Sequence, residues 1–178
     1  MADPTAPEEP APAAEEPAPA TEEPAAEPTP APGPRSGPQI LVEEHNRYRA
    51  QHCAPPLTWS PKLAASAQAW ADHLRKAGCM FGHSGTDYGE NLAAGTAGAL
   101  SPQSVVEMWY REVDAYDYRA ADFSPKTGHF TQLVWAGTAR VGCGTTSCKG
   151  LEIWVCQYDP PGNVVGEFGR NVKPTSCR

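Results

Sequence analysis

The stretch Gly128-His129-Phe130-Thr131-Gln132-Leu133-Val134-Trp135 decides the fold prediction. It joins a glycine break and a titratable ring to an apolar Leu-Val-Trp run. The apolar end has to be buried, so the histidine lies where a helix or strand leaves the core. Because sites tend to be built at such positions, His129 is the first candidate site residue.

The acidity of the chain belongs to its first 38 residues. They contain eight of the 21 acidic residues, one of the 14 basic residues and twelve of the 20 prolines. Such a composition cannot bury apolar surface, so we expect a disordered Pro/Ala/Glu-rich linker over residues 1–38 and one domain over residues 39–178. The domain is formally neutral, which argues against nucleic acid as a partner. No apolar run approaches the roughly 20 residues that span a bilayer, so we predict no transmembrane segment.

Six cysteines occur in the predicted domain and none in the linker. An even number in a domain of this size indicates three disulfides formed in an oxidising, extracellular compartment, with any signal peptide already removed. A predicted turn near Lys149-Gly150 places Cys143 opposite Cys156, which makes a cross-strand disulfide geometrically reasonable. The other pairings stay open from sequence alone. The set that we favour is Cys143–Cys156, Cys53–Cys177 and Cys79–Cys148.

Apolar spacing and capping signals predict helices first and a β-hairpin afterwards. Serine followed by proline, at Ser60-Pro61 and Ser101-Pro102, is typical of a helix start. We predict helices over about 39–52 and 61–76 and from 102 onward, and strands over 79–83, 139–145 and 151–158. This order favours an α+β fold with a helix layer on each face of a mixed sheet.

The third predicted helix contains an acidic residue on its apolar stripe. Val105 and Trp109 define the stripe, and Glu112 follows on the same face. A carboxylate there costs several kcal/mol unless it is paired, hydrogen-bonded or open to a cleft. The other candidates, His83, Glu90 and His129, lie beside glycines. Two interpretations stay open: a divalent metal site for Mg²⁺ or Zn²⁺, or a hydrogen-bonded polar network.

Four sequence elements occur together in one order. They are His45-Asn46-Arg47-Tyr48-Arg49, Gly89-Glu90-Asn91-Leu92, the opening stretch, and Cys156-Gln157-Tyr158-Asp159-Pro160-Pro161-Gly162-Asn163. This combination resembles the CAP superfamily of cysteine-rich secretory, antigen-five and pathogenesis-related proteins. The resemblance implies a secreted, disulfide-bonded three-layer α-β-α sandwich with a central cleft and a mixed, mostly antiparallel sheet. Carried over by position, the family's cleft tetrad falls on His83, Glu90, Glu112 and His129.

Aromatic residues are dense ahead of the opening stretch, at Trp109, Tyr110, Tyr116, Tyr118 and Phe123. One interpretation is ordinary packing of a loop over the sheet. The other is an apolar surface for a flat lipid. The segment is similar to that of fungal secreted pathogenesis-related members that bind and export sterols, in which the corresponding loop contacts the sterol. The family also includes fatty-acid binders with a groove between helices, here the first helix and the segment after His129.

The remaining polar residues of the first helix have a structural interpretation. We expect His45, Asn46 and Arg49 to pin the helix to a neighbouring loop. His52 and His73 have no distinguishing context, and we predict that both lie on the surface.

Three hypotheses about function follow. We expect a secreted, non-enzymatic module that binds a sterol, a fatty acid or another hydrophobic lipid, with the linker as a tether to the cell surface. The first alternative is a recognition module for a cell-surface or host partner with no lipid ligand. The second is a metal-dependent hydrolase that uses the His/Glu cleft. A serine or cysteine protease is disfavoured, because the cysteines are committed to disulfides and Ser84 beside His83 lacks an oriented base.

Overall fold

The computed structural model describes residues 36–175. The predicted linker therefore lies outside the described residues except for its last three, and Cys177 also lies outside them. The helices are α1 Gly37–Gln51, α2 Pro61–Lys76, α3 Pro102–Tyr110, α4 Gly128–Val134 and α5 Phe168–Asn171, with a 3-10 helix at Arg111–Ala115. The strands are β1 Thr58–Trp59, β2 Gly89–Thr96, β3 Arg140–Cys148 and β4 Leu151–Asp159.

Serine caps start the first three helices. The Ser36 hydroxyl accepts from the backbone N–H of Gln39, whose side chain accepts in return from the backbone N–H of Ser36. This capping box starts α1 at Gly37, two residues before the predicted start of the domain. Ser101 forms a capping box with Ser104 at the start of α3, whereas Ser60 caps α2 by accepting from the backbone N–H of Leu63 alone; each serine is followed by proline. Helix α2 has the predicted bounds.

The sheet is mixed and mostly antiparallel, as the resemblance implies. Its strand order is β1-β3-β4-β2, and only the β1–β3 pair is parallel. The hairpin turn at Lys149 and Gly150 has positive φ at both residues, which suits the right-handed twist of the flanking strands. The resulting register sets Cys143 opposite Cys156.

Two of the three predicted disulfides lie within the described residues and both are present. Cys143 bonds to Cys156 across the hairpin, and Cys79 bonds to Cys148. Cys53 is also disulfide-bonded, and its predicted partner Cys177 lies outside the described residues.

Strand β4 shows how the two helical layers are separated. Its side chains alternate, so Trp154 and Tyr158 join the core cluster that contains residues of α1, α3 and α4. Ile153 and Val155 face the opposite way and pack with residues of α2. The backbone of α2 lies so close to β3 that a Cβ at Gly144 would collide with Gln68. The predicted α+β fold and three-layer sandwich are confirmed.

Two predicted elements differ from the structure. Residues 79–83 form no strand, because Cys79 has a positive φ of 69° and the segment is held by its disulfide and by a bond from Trp70 Nε1 to the Gly82 carbonyl. Residues 89–96, for which the sequence predicted no strand, form β2, which pairs along its whole length with β4. Pairing therefore supplies the strand that the local composition does not favour.

The third helix is shorter than its apolar stripe predicts. It ends at Tyr110, and a 3-10 turn carries the chain through Ala115, so Glu112 lies outside the α-helix. Between residues 36 and 175, we find no helix with both the length and the apolar character needed to cross a bilayer.

Candidate functional site: a cleft with two histidine–glutamate pairs

Three of the four tetrad residues line one cleft. It has a volume of about 210 Å³ and lies where the start of β2, the first turn of α4 and three loops meet. Its walls are formed by His83, Glu90, Asn91, Phe123, Pro125, Gly128, His129 and Asn163. Glu112 does not line the cleft and instead contacts His129 directly.

Glu112 caps the helix that carries His129. Thr127, at the N-cap position of α4, makes no side-chain cap. In its place Glu112 Oε2 accepts from the backbone N–H groups of His129, at 3.0 Å, and Phe130, at 3.1 Å. Its Oε1 lies 2.6 Å from His129 Nδ1. A carboxylate is favourable at a helix N-terminus, so one side chain fixes both the helix start and the imidazole.

His83 and Glu90 form the second pair, with opposite exposure. The Glu90 side chain is 5% exposed and that of His83 is 66% exposed, with Oε1 and Nδ1 2.9 Å apart. Ser84 N–H and Gln157 Nε2 also donate to the carboxylate, each at 2.9 Å. Burial raises the pKa of Glu90, but the hydrogen bonds from His83, Gln157 and Ser84 outweigh it and the net pKa is lowered. The bond to Glu90 raises the pKa of His83, so the ion pair is favoured.

A buried hydrogen-bond chain connects α1 to the cleft. His45 Nδ1 donates to the Leu41 carbonyl at 2.7 Å, and its Nε2 lies 2.8 Å from the Tyr158 hydroxyl. Burial lowers the pKa of His45 to about 4, so the ring is neutral and Nε2 accepts from Tyr158. Asn91 Nδ2 donates to the Tyr158 oxygen and to the His129 carbonyl. His45 therefore pins α1 to a strand, whereas the sequence predicted a loop.

Arg49 holds the C-terminal end of α4. The side chain is fully buried and donates to the carbonyls of Leu133, Trp135 and Thr138, each at 2.9 Å. The Leu133 carbonyl belongs to the last turn of α4, where a helix leaves its carbonyls without partners inside the helix. Asn46 likewise exchanges two hydrogen bonds with the backbone of Leu57. The predicted pinning role of both residues is confirmed.

One prediction about histidines is wrong. His52 is 1% exposed rather than on the surface. Its Nδ1 donates to the Lys173 carbonyl at 2.6 Å, and its Nε2 lies 3.1 Å from the Tyr110 hydroxyl. Burial lowers the pKa of this ring too. Nothing in the local sequence marks His52 as buried, because its partners are distant along the chain.

The aromatic residues do not form one exposed surface. Trp109 lies in α3, is 1% exposed, and donates from Nε1 to the Leu92 carbonyl. Tyr116 is buried against Phe130 and Tyr118. Tyr110 and Tyr118 are partly buried against the core. Only Phe123 of the predicted lipid-binding set is well exposed, at 51%, and it lines the cleft.

The sequence patterns predicted no role for Asn163, which lines the cleft, or for Gln157, which bonds to the lining residue Glu90. Asn163 Nδ2 donates to the Gly128 carbonyl, and its Oδ1 accepts from the Thr131 hydroxyl. Gln157 orients Glu90 from beneath. Both belong to the Cys156–Asn163 element, so their position in that motif was the available signal.

The arrangement can bind a ligand or orient a water more readily than it can perform nucleophilic catalysis. Each cleft imidazole commits Nδ1 to a glutamate, and we find no hydrogen bond to either Nε2 among residues 36–175. The same residues contain no group of three or more His, Cys, Asp or Glu side chains placed to hold a metal ion. Ser84 Oγ bonds to Thr86 and Gln157, and no bond to His83 is present in this part of the chain.

Residues 42–158 match the model of the cysteine-rich secretory protein family, CAP. Among curated relatives, Protein PRY2 of Saccharomyces cerevisiae is 47% identical over 75% of this chain and 40% of its own length. Repressed by EFG1 protein 1 of Candida albicans is 46% identical over 71% of this chain and 46% of its own. Pathogenesis-related protein 1C of Nicotiana tabacum is 42% identical over 72% of this chain and 78% of its own length. The chain thus spans less than half of the two fungal relatives.

Solved structures share the fold at lower identity. Hookworm platelet inhibitor superposes with a TM-score of 0.64 at 22% identity, covering 82% of each chain. Schistosoma mansoni venom allergen-like protein 4 superposes with a TM-score of 0.61 at 22% identity, covering 80% of this chain and 98% of its own. At such identity the likeness concerns the fold alone.

Proposed function

Because the chain belongs to the cysteine-rich secretory protein family, we propose that it is a secreted, non-enzymatic module that binds a sterol or another hydrophobic lipid at its cleft. Secretion agrees with the disulfides within the described residues. The linker would serve as a spacer or tether at the cell surface.

The distribution of exposed apolar side chains carries this proposal. The described residues contain seven large apolar side chains that are well exposed. Phe123 lines the cleft, and four others lie within three positions along the chain from a lining residue: Met80, Phe81, Val164 and Val165. Exposed apolar groups that cluster around a concave site mark a binding surface, whereas scattered ones do not. A rigid, flat hydrocarbon such as a sterol would cover this rim.

Equilibrium binding of labelled cholesterol to the full chain tests the proposal. We compare the wild type with Phe123→Ser at the rim and with Leu151→Ser at the β3–β4 turn, where the side chain is 42% exposed and remote from the cleft in sequence. Complete burial of an aromatic side chain is worth roughly 1.5–3 kcal/mol, and the ligand would cover the exposed half of Phe123, so Phe123→Ser should weaken binding roughly four- to tenfold. Leu151→Ser should leave it unchanged.

Each other outcome points to a different function. No saturable binding by the wild type would contradict the lipid proposal and favour recognition of a cell-surface or host partner. Equal losses in both variants would mean that cholesterol binds nonspecifically to exposed apolar groups. Ester or peptide hydrolysis that His129→Ala abolishes without unfolding would instead support the metal-dependent hydrolase.

We also propose that the two cleft histidines supply ligands to a divalent cation. A carboxylate on Nδ1 orients each ring and makes its Nε2 more basic, which is the usual arrangement behind a metal-binding imidazole. Two nitrogen donors suit Zn²⁺, whereas Mg²⁺ prefers an all-oxygen shell. A site with only two protein ligands would be completed by water and would bind weakly.

Calorimetric titration of the full chain with Zn²⁺ and Mg²⁺ tests the metal proposal. We expect Zn²⁺ to bind the wild type with loss of affinity in both His83→Ala and His129→Ala, and Mg²⁺ to give no heat of binding. The matched control is His73→Ala, which changes an exposed histidine outside the cleft. Equal Zn²⁺ affinity in all three variants would contradict the site.

A further inference from the structure

A second concave site lies between α2 and the loop that precedes β2, and it shares none of its lining residues with the cleft. It has a volume of about 270 Å³, and its walls include Ala69, Trp70 and His73 from α2, Ser84 and Thr86 from the loop, and Gln157 from β4. Pockets for drug-sized ligands have volumes from roughly 300 Å³ upward, so this one suits a single small ring. We refer to it as the Trp70 pocket.

Gln157 brings an unused hydrogen-bond acceptor to the Trp70 pocket. The residue is 0% exposed, and its Nε2 donates to Glu90 Oε2 at 2.9 Å. Because a carboxylate accepts hydrogen bonds and donates none, this bond fixes which end of the Gln157 amide is the oxygen. That oxygen, Oε1, is buried and has no donor among residues 36–175. Buried polar groups in native proteins are nearly always paired, so Oε1 calls for a donor.

Two stacked aromatic rings give the pocket a flat side. The ring centroids of Trp70 and His73 are 4.7 Å apart, and the ring planes differ by 13°. Trp70 is fixed further by the hydrogen bond from its Nε1 to the Gly82 carbonyl, at 2.9 Å. Because both rings are already held in place, a flat ligand can pack against them without the entropic cost of ordering two side chains.

The remaining lining groups favour an uncharged ligand with several hydroxyl groups. Ser84 Oγ and Thr86 Oγ1 lie 3.0 Å apart, and each hydroxyl can donate as well as accept. Among the described residues that line the pocket, the single ionisable side chain is that of His73. A cation would therefore lose its hydration without gaining an anion, and an anion would gain only a protonated His73. A polyhydroxylated ring avoids that cost and can pair with Gln157 Oε1.

We propose that the Trp70 pocket binds one uncharged sugar ring, with a C–H face against Trp70 and His73 and a hydroxyl that donates to Gln157 Oε1. Oε1 is itself covered in the structure, so the sugar has to displace a lining side chain. Thr86 is exposed and lies in a loop, where its hydroxyl bonds to Ser84, which makes it the side chain to move. This site is independent of the lipid site proposed at the cleft.

Indole N–H resonances of the ¹⁵N-labelled full chain test the contact with the aromatic rings. The chain has five tryptophans, and the spectrum of Trp70→Phe identifies the Trp70 signal by its loss. Titration with methyl β-D-glucopyranoside, whose ring carries axial C–H groups on both faces, should shift this signal saturably and leave that of Trp109 in place. Tetrahydropyran has the ring without the hydroxyls, and sorbitol has the hydroxyls without the ring. Each should bind at least about tenfold more weakly than the glycoside.

The side-chain amide of Gln157 tests the hydrogen bond. Its Nε2 resonances, assigned through their bonds to the backbone, should shift in the same titration because a donor on Oε1 polarises the whole amide group. The dissociation constant from these resonances should equal that from the Trp70 indole. Tetrahydropyran, which has no donor, should leave them in place.

Three variants connect the signals to affinity. Ala69→Phe fills the pocket from α2 and should abolish binding of the glycoside. Its matched control is Ala65→Phe, which adds the same bulk at an exposed position of α2 that is not among the lining residues and should leave binding unchanged. His73→Ala removes one of the two stacked rings and should weaken binding about fivefold. Phe123→Ser at the cleft should leave glycoside binding unchanged, which separates this proposal from the lipid proposal.

Four results would overturn the proposal. The first is a Trp70 signal that stays fixed at the highest soluble concentration of the glycoside. The second is a shift of Trp70 while the Gln157 amide stays fixed. The third is tetrahydropyran or sorbitol that binds as tightly as the glycoside. The fourth is equal glycoside affinity in Ala69→Phe and Ala65→Phe.

Discussion

The two buried histidines and the two cleft histidines differ in whether the ring keeps a nitrogen that a ligand could use. His45 and His52 use both ring nitrogens within the protein, and burial lowers the pKa of each. His83 and His129 bond through Nδ1 to a glutamate, and no bond to either Nε2 is present among residues 36–175. A carboxylate partner on one side with an open nitrogen on the other is the arrangement that can act on a ligand.

The buried histidines and the cleft histidines also differ in how they are connected to the rest of the structure. His45 contacts Tyr158, which contacts Asn91, which contacts the His129 backbone. The buried ring therefore supports the position of a cleft ring through the core. Glu112 performs the corresponding task at the surface, since it fixes the start of α4 and the His129 ring together. Changes to the buried pair should therefore act on stability, and changes to the cleft pair chiefly on binding.

The largest effect should come from His45→Ala. The change opens a cavity, leaves the buried Tyr158 O–H without an acceptor and removes the side-chain bond to the Leu41 carbonyl, so we expect a loss of about 4 kcal/mol in the free energy of unfolding. Urea denaturation at pH 7 measures it. His73→Ala removes an exposed ring that stacks on Trp70, and it should cost at most about 1 kcal/mol. A loss below about 1 kcal/mol for His45→Ala would mean that the buried network is dispensable.

The pH dependence of stability should separate His45 from the cleft histidines. Its pKa falls from 6.5 in the unfolded chain to about 4 in the fold, so the unfolded state binds more protons between these values. Its stabilising contribution is therefore present above pH 6.5 and is lost as the pH falls toward 4. Between pH 7 and pH 4 the wild type should lose about 3 kcal/mol more than His45→Gln does. Parallel stability curves would contradict the assignment.

Sequence patterns predicted the β3–β4 hairpin and α2 because both elements are determined by residues that are close together along the chain. A Lys-Gly turn fixes the register that sets Cys143 opposite Cys156, and the Ser60 cap with Gly78 bounds α2. Strand β2 was not predicted because Gly89–Thr96 has no aromatic residue and a single β-branched one, Thr96, and it forms a strand through its pairing with β4. The burial of His52 likewise depends on contacts with Tyr110 and Lys173.

The candidate site, too, could be predicted from the sequence only in part. The apolar stripe of the third helix isolated Glu112 as an acid that needed a partner, and the structure supplies one in His129. The position of Glu112 differs from the prediction, because α3 ends before this residue and the 3-10 turn directs its carboxylate to α4. No spacing rule could have shown that a distant glutamate caps α4, because the missing cap at Thr127 becomes apparent only in three dimensions.

Glu112→Gln should have an intermediate effect. The amide keeps the shape but removes the charge from three hydrogen bonds at the N-terminus of α4, so we expect a loss of about 2 kcal/mol in the free energy of unfolding. Glu107→Gln is the matched control, because its exposed pair with Arg111 is worth at most about 0.5 kcal/mol. Hydrogen exchange of the His129 and Phe130 amides should accelerate in Glu112→Gln alone. Unchanged exchange would mean that Glu112 does not cap the helix.

The smallest effect on stability should come from His83→Ala. The side chain is 66% exposed, so its pair with Glu90 should contribute less than about 1 kcal/mol. Because the pKa of His83 is raised in the fold, its contribution is full below pH 6.5 and is lost as the pH rises through the folded value. The variant should therefore differ from the wild type more at pH 5.5 than at pH 9.

In the same variant the pKa of Glu90 should rise, since the His83 hydrogen bond is the strongest of the hydrogen bonds that lower this pKa against the effect of burial. Carboxyl ¹³C titration measures that shift, and an unchanged Glu90 pKa would show that Ser84 and Gln157 hold the carboxylate without help from the exposed ring.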